Sequence, residues 1–119
     1  MAKILIVDDD VVNSQIYTNK LQAEGHEAVL ANDGKIAMEK IGEKFDLILL
    51  DIMIPKIGGL EILKAIKKGV NKFSTVLIFT NLLSEEIKRD CLNNGAKELL
   101  LKVDYSPSML LGKINSYLK

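Results

Sequence analysis

Chemically capable side chains stand directly after short apolar runs in this 119-residue chain. Asp8, Asp9 and Asp10 follow Ile4-Leu5-Ile6-Val7, Asp51 follows Leu47 to Leu50, Thr80 follows Val76 to Phe79, and Lys102 follows Leu99 to Leu101. Carboxylates gathered in one place repel by about 4 kcal/mol per pair at a separation of about 4 Å, if the effective dielectric is about 20. A hard divalent cation offsets that repulsion, and Mg2+ takes its oxygens from one or two carboxylates, water and a phosphate. An ammonium and a hydroxyl on the other side would meet the remaining oxygens of a phosphoryl group. The set suits phosphoryl transfer to a carboxylate. Aspartate can form a covalent acyl phosphate, and the transfer needs mainly positioning and charge neutralisation. No general base is required, because a carboxylate is already ionised at pH 7. Taken singly, each aspartate reads as an ordinary turn or cap residue; acids, hydroxyl and amine together at the ends of different strands read as a site.

The elements that must hold these residues are visible in the spacing. Apolar runs at Ile4 to Val7, Ala28 to Ala31, Leu47 to Leu50, Val76 to Phe79 and Leu99 to Leu101 begin 24, 19, 29 and 23 residues apart. Runs this short, without alternation, fit strands buried on both faces with one helix between each pair. Ile62, Ile66 and Val70 recur at helical spacing, as do Leu110, Ile114 and Leu118. The first helix, from about Val11 to Glu24, places Val12 and Ile16 on one face, with Tyr17 and Leu21 beside it. Gly25 and Gly95 stand where helix C-termini want a left-handed residue. Asp10, Ser84 and Ser106-Pro107 supply N-terminal caps. The predicted architecture is α/β, a doubly wound five-stranded parallel sheet with five helices. Ligands in such sheets lie beyond the carboxyl ends of the strands, where the strand order reverses.

Composition excludes several classes. With 48% apolar and 27% charged residues, the sequence is that of one globular domain, residues 1–119, with no linker or low-complexity tract. Sixteen basic and sixteen acidic residues cancel, so no long-range field gathers nucleic acid or anionic lipid, and direct nucleic-acid binding is not expected. The longest apolar run is four residues, against the roughly 20 of a membrane helix. A single cysteine, Cys91, suits a reducing compartment, and a cytoplasmic location is expected.

The residues resemble the receiver domains of two-component response regulators. The resemblance rests on Ile6-Val7-Asp8-Asp9, on Leu49-Leu50-Asp51-Ile52-Met53-Ile54-Pro55 with Gly59-Leu60-Glu61, on Ile78-Phe79-Thr80, and on Gly95-Ala96 followed by Leu99-Leu100-Leu101-Lys102. It spans essentially the whole chain and implies a CheY-like, flavodoxin-like fold with strand order 2-1-3-4-5. It implies that Asp51 is the phosphoacceptor, taking its group from a histidine kinase or a histidine phosphotransfer protein. Asp8, Asp9, Asp51 and the backbone carbonyl of Met53 would hold Mg2+. Thr80 would be the switch hydroxyl and Lys102 the ammonium that pairs with the phosphoryl group. Asp10 falls outside the family's acidic pair. The first helix around Asn13 to Tyr17 and the loop after Lys102 would meet the phosphodonor. The face from Ser84 to Lys119 would carry contacts to an output protein or domain, or to a second copy in a homodimer. The domain would assist its own phosphorylation and dephosphorylation without being an enzyme in the usual sense.

Four positions depart from the family pattern. Leu99 stands where an aromatic switch residue is common, and a leucine cannot swing a ring inward. Val103 replaces the proline that usually follows the lysine, so a trans or a strained loop is expected there. Gly58 replaces an aspartate before Gly59, and Asn81 stands where a small residue is frequent. Activation is therefore expected to move Thr80 and its loop without an aromatic relay at residue 99; Tyr105 is a weak substitute. Met53 and Leu82 are expected to control access of water to the site.

Three rival readings were weighed. Asp8-Asp9-Asp10-Val11-Val12 also fits the first motif of haloacid-dehalogenase-like phosphatases, with Asp8 as nucleophile, but that leaves Asp51 to Pro55 without a task. A flavin carrier would want a phosphate-cradling loop where this chain is triply acidic. A phosphorylation-independent pseudo-receiver usually loses one of the acidic, hydroxyl or lysine positions, and all are kept here. His26 reads as a surface residue, Cys91 as an inward-packing thiol, and Lys64, Lys67, Lys68 and Lys72 as a solvated helix face.

Overall fold

The computed structural model describes residues 1–53, 58–81 and 84–118. Five strands, β1 (Lys3–Val7), β2 (Glu27–Ala31), β3 (Leu47–Leu50), β4 (Thr75–Thr80) and β5 (Glu98–Leu101), alternate with α1 (Val11–Ala23), α2 (Gly34–Lys40), α3 (Gly59–Ile66), α4 (Glu85–Asn93) and α5 (Pro107–Leu118). All pairs are parallel and the order is β2-β1-β3-β4-β5. The chain moves outward from β1 to β2, then crosses to β3 on the other side. The reversal therefore lies between β1 and β3, whose C-terminal ends open the crevice expected of such a sheet.

The central strands are apolar on both faces because both are covered. Leu5, Val7, Ile48, Leu50, Val76 and Ile78 point into a layer closed by Ile62, Leu63 and Ile66 of α3 and Cys91 of α4. Ile4, Ile6, Leu47, Leu49, Leu77 and Phe79 point the other way, against Tyr17 and Leu21 of α1 and Leu110, Leu111 and Ile114 of α5. Each large side chain fully buried in this way contributes roughly 1.5–3 kcal/mol.

Helix ends follow the sequence closely. Asp10, Asp33 and Ser84 accept from Asn13, Ile36 and Ile87 backbone N–H groups, and Ser106 Oγ accepts from Met109 N–H. Gly25 and Gly95 have φ of 91° and 99°. Gly58 offers no side-chain cap to α3. Gly59 is required instead: a Cβ there would stand 2.4 Å from Ile52 Cα and 2.8 Å from the Asp51 carbonyl oxygen.

Four expectations are corrected. The inner stripe of α1 is Ser14, Tyr17, Thr18 and Leu21, whereas Val12 is 72% exposed and Ile16 lies at the surface. Ser14 and Thr18 tolerate burial because their hydroxyls donate back to the carbonyls of Asp10 and Ser14, at 2.6 and 2.7 Å. Val70 is exposed, since α3 ends at Ile66 and residues 67–74 form a turn. That turn is fixed by Asn71, fully buried, whose Nδ2 donates to the Ile41 and Glu43 carbonyls (2.8 and 2.7 Å) while Oδ1 accepts from Phe45 N–H at 2.7 Å. His26 is not a free surface residue. Its Nδ1 accepts from Ala2 N–H at 3.1 Å, which places the proton on Nε2, 3.0 Å from Asn115 Oδ1 on α5. Lys67, finally, is half-buried and not part of a solvated face: Nζ donates to the Ser74 and Lys72 carbonyls, at 3.0 and 3.3 Å.

Candidate functional site

Asp8 and Asp51 emerge side by side because the parallel ladder runs one residue past each strand. Asp8 N–H donates to the Ala31 carbonyl at 3.0 Å and Asp51 N–H to the Val7 carbonyl at 2.9 Å. Both side chains are nearly buried, at 2% and 5% exposure, whereas Asp9 faces solvent. Each of the three offers a carboxylate oxygen, all within 4.8 Å of one another. Asp8 Oδ1 accepts from Asp10 N–H at 2.9 Å, and Asp51 Oδ1 from Met53 N–H at 3.0 Å. Lys102 reaches across from the end of β5 and bridges the pair, with Nζ 2.9 Å from Asp8 Oδ2 and 2.8 Å from Asp51 Oδ2.

Three carboxylates against one ammonium leave two negative charges in a largely desolvated crevice. Burial pushes the Asp8 carboxyl above the usual carboxylate range, overcoming the opposing hydrogen bond and charge of Lys102. For Lys102, burial acts against its charge, but its hydrogen bonds to Asp51 and Asp8 prevail and raise its pKa. All-oxygen donors and an excess negative charge match a hard divalent cation better than a soft one. The arrangement fits Mg2+ on the chemistry of its donors.

Thr80, fully buried, ends β4 in register with Leu101, one residue before Lys102. The hydroxyl and the ammonium thus belong to adjacent strand ends. Leu99 is half-buried, pairs with Ile78 and packs against the α3–α4 layer. Val103 is 77% exposed in a single 3-10 turn, Lys102–Asp104. No cis peptide occurs among the described residues, so of the two alternatives before Val103 the bond is the trans one. Pro55, Leu82 and Lys119 lie outside the described residues.

Three features escaped the sequence reading. Asn32, at the end of β2, donates from Nδ2 to the Asp8 carbonyl at 2.7 Å and so braces the acidic turn. Tyr105 packs edge-on against Phe79, which packs edge-on against Tyr17, with centroids 6.3 and 5.8 Å apart. Lys102 Nζ lies 5.8 Å from the Phe79 ring centroid, so the aromatic row touches the residue that bridges the carboxylates. Last, Val11, Val12, Met53 and Val103 are all more than half exposed on segments that adjoin the crevice.

Comparison with known proteins decides the family. A model described as the response regulator receiver domain matches residues 4–115. The chain belongs to the response regulator receiver domain family. It is 34% identical, over its whole length, to the transcriptional regulatory protein CpxR homolog of Haemophilus influenzae, and covers 51% of that protein. It is 41% identical over 83% of its length to the transcriptional regulatory protein ZraR of Klebsiella oxytoca, covering 22% of it. The receiver domain therefore spans about half or less of these curated relatives. Among solved structures, the CheY-like response regulator receiver domain protein of Methanospirillum hungatei superposes with a TM-score of 0.92 at 33% identity, covering 99% of this chain and 94% of that one. The flavodoxin-like fold, the strand order and membership of two-component signalling follow. No helix among the described residues is long and apolar enough to cross a membrane.

Proposed function

We propose that this receiver domain accepts a phosphoryl group on Asp51 from a phosphohistidine of a histidine kinase or phosphotransfer protein. The observation that carries this reading is the shared lysine: Asp8 and Asp51 meet on Lys102 at the strand-order reversal, with Asp9 completing a three-carboxylate cluster. An Asp51 oxygen attacks phosphorus, the O–P bond forms, and the N–P bond breaks to release the imidazole. A carboxylate nucleophile carries no proton to be removed, so the step needs no base. Asp8, Asp9, Asp51 and the Met53 carbonyl would hold Mg2+, which supplies charge neutralisation of the transferring oxygens. Lys102 gives up part of its contact with Asp51 to pair with a phosphoryl oxygen, and Thr80 donates its hydroxyl to another.

The exposed valines on α1 and after Lys102 suit docking of the donor. The new Thr80 position would then be read on the face from Ser84 to residue 118, by an output protein or domain or by a second copy. Leu99 offers no ring to relay it. Incubation with Mg2+ and acetyl phosphate should add one phosphoryl group to the protein, detected by intact mass. Asp51→Asn should take none. Multiple turnover of phosphate esters would instead support the phosphatase reading.

A further inference from the structure

The opposite end of the sheet carries a second charged surface, of reversed sign. The turn at residues 67–74 and the C-terminal end of α4 enclose an open groove of about 450 Å3, within the roughly 300–1,000 Å3 range of ligand pockets. Lys64, Lys67, Lys68 and Lys72 line it, and no carboxylate among the described residues does. None of these lysines forms an ion pair among the described residues. In a chain of zero net charge, this is a local concentration of one sign without an ion-pair partner among the described residues.

The groove is built, not loose. Asn71 and Ser74 are buried on either side of Lys72 and Phe73, and each is hydrogen-bonded into the neighbouring loop. The Phe73 ring is nevertheless 87% exposed, with Lys72 Nζ 5.6 Å from its centroid. Leaving a phenylalanine in water forgoes the stabilisation of its burial, on a turn whose conformation is pinned. The Lys67 stem lies against Gly95, where an added Cβ would come within 2.8 Å of Lys67 Cε. That close approach joins the two walls.

The backbone selects among anionic ligands. Both helices that border the groove, α3 and α4, present their C-terminal ends to it. Helix C-termini lack the N–H cradle that phosphate favours, and their last carbonyls are already bonded by N–H groups of residues 67–69 and 94–96, so the lysines are left to meet the anion. The ammoniums of Lys64, Lys68 and Lys72 and an exposed ring suit a peptide: carboxylates for the lysines and an apolar side chain for Phe73.

We infer that this groove docks an acidic peptide segment of a partner protein, with at least one large apolar residue set among its carboxylates. The surface is remote from the C-terminal ends of the strands, so occupancy leaves the acidic crevice free. It also stands whether or not Asp51 accepts phosphate. The probe is an acetylated, amidated octapeptide with two leucines between three acidic residues on each side, titrated into the 15N-labelled protein. Amide shifts are expected at residues 64–74 and 93–95, without change at Asp8 or Asp51. Lys68→Glu with Lys72→Glu should weaken binding ten-fold or more, the effect of placing like charges across an interface. Phe73→Ala should weaken it about five-fold or more, as loss of an aromatic anchor does. All three substitutions are at exposed positions, and an unchanged melting midpoint shows that the variants are folded. Shifts elsewhere, equal binding by the charge-reversed variant, or tighter binding of an oligothymidylate or of phosphatidylglycerol vesicles would each overturn the inference.

Discussion

The two ends of the sheet solve opposite electrostatic problems. At the C-terminal end, Asp8 and Asp51 are buried and locked by backbone N–H groups, and their one ammonium is inserted between them. At the other end, lysines surround an exposed phenylalanine and meet no carboxylate among the described residues. The first end accepts a folding cost to hold charges at fixed positions, as chemistry requires. The second keeps Lys64, Lys68 and Lys72 in water at little cost and ties only the half-buried Lys67 to backbone carbonyls. Both nevertheless rest on rigid backbone: the Gly59 contact behind Asp51 at one end, and the Asn71 staple at the other.

Breaking the rigid supports should have the largest effects. Gly59→Ala drives a Cβ into the Asp51–Ile52 backbone. It should destabilise the fold by about 3 kcal/mol, the upper range for overpacking, and displace Asp51, read by denaturant unfolding and by loss of phosphoryl uptake. Asn71→Ala strips partners from Phe45 N–H and two carbonyls. At roughly 1–3 kcal/mol per group left unsatisfied, partly relieved by water, it should cost about 2–3 kcal/mol. Its amide perturbations should concentrate at the basic end and leave phosphoryl uptake intact in the folded fraction.

Relieving the acidic end should do the reverse. The Asp8 carboxyl is raised by burial, so its charged form is less favourable in the folded chain than in the unfolded one. That cost is present at neutral pH and disappears as pH falls below the unfolded value of about 3.9. Asp8→Asn should therefore stabilise the metal-free protein by about 0.5–2 kcal/mol at pH 7, the usual gain when a functional compromise is removed. The gain should shrink toward pH 4 in thermal melts, while phosphoryl uptake is lost. Lys68→Glu makes the smallest change, within about 0.5 kcal/mol, because it alters an exposed charge outside any described ion pair. A large destabilisation there would show that the basic end is structural.

The acidic end was legible in the sequence for a physical reason. Strands buried on both faces must be continuous apolar runs, and in a doubly wound sheet the chemistry follows directly after them. Asp8, Asp51, Thr80 and Lys102 could thus be read as a set before any contact was known. The inner face of α1 could not, because Ser14 and Thr18 satisfy their hydroxyls within the helix and mimic apolar residues in packing. Asn71 and Lys67 were likewise hidden: their partners lie in turns, and the bonds of Asn71 span 26 to 30 residues of chain. Helical periodicity therefore assigned Val70 to the core, and the run of lysines assigned Lys67 to solvent. Asn32 carried a faint signal, as a carboxamide at a strand end beside the acidic turn.

The three aspartates of the crevice have separable roles, and only one of them should carry the phosphoryl group. Phosphorylation with Mg2+ and acetyl phosphate, followed by borohydride reduction of the acyl phosphate and peptide mass mapping, locates the modified residue. Reduction to homoserine is expected at position 51, with positions 8 and 9 unmodified and no product from Asp51→Asn. Modification at position 8, or uptake undiminished in Asp51→Asn, would contradict it.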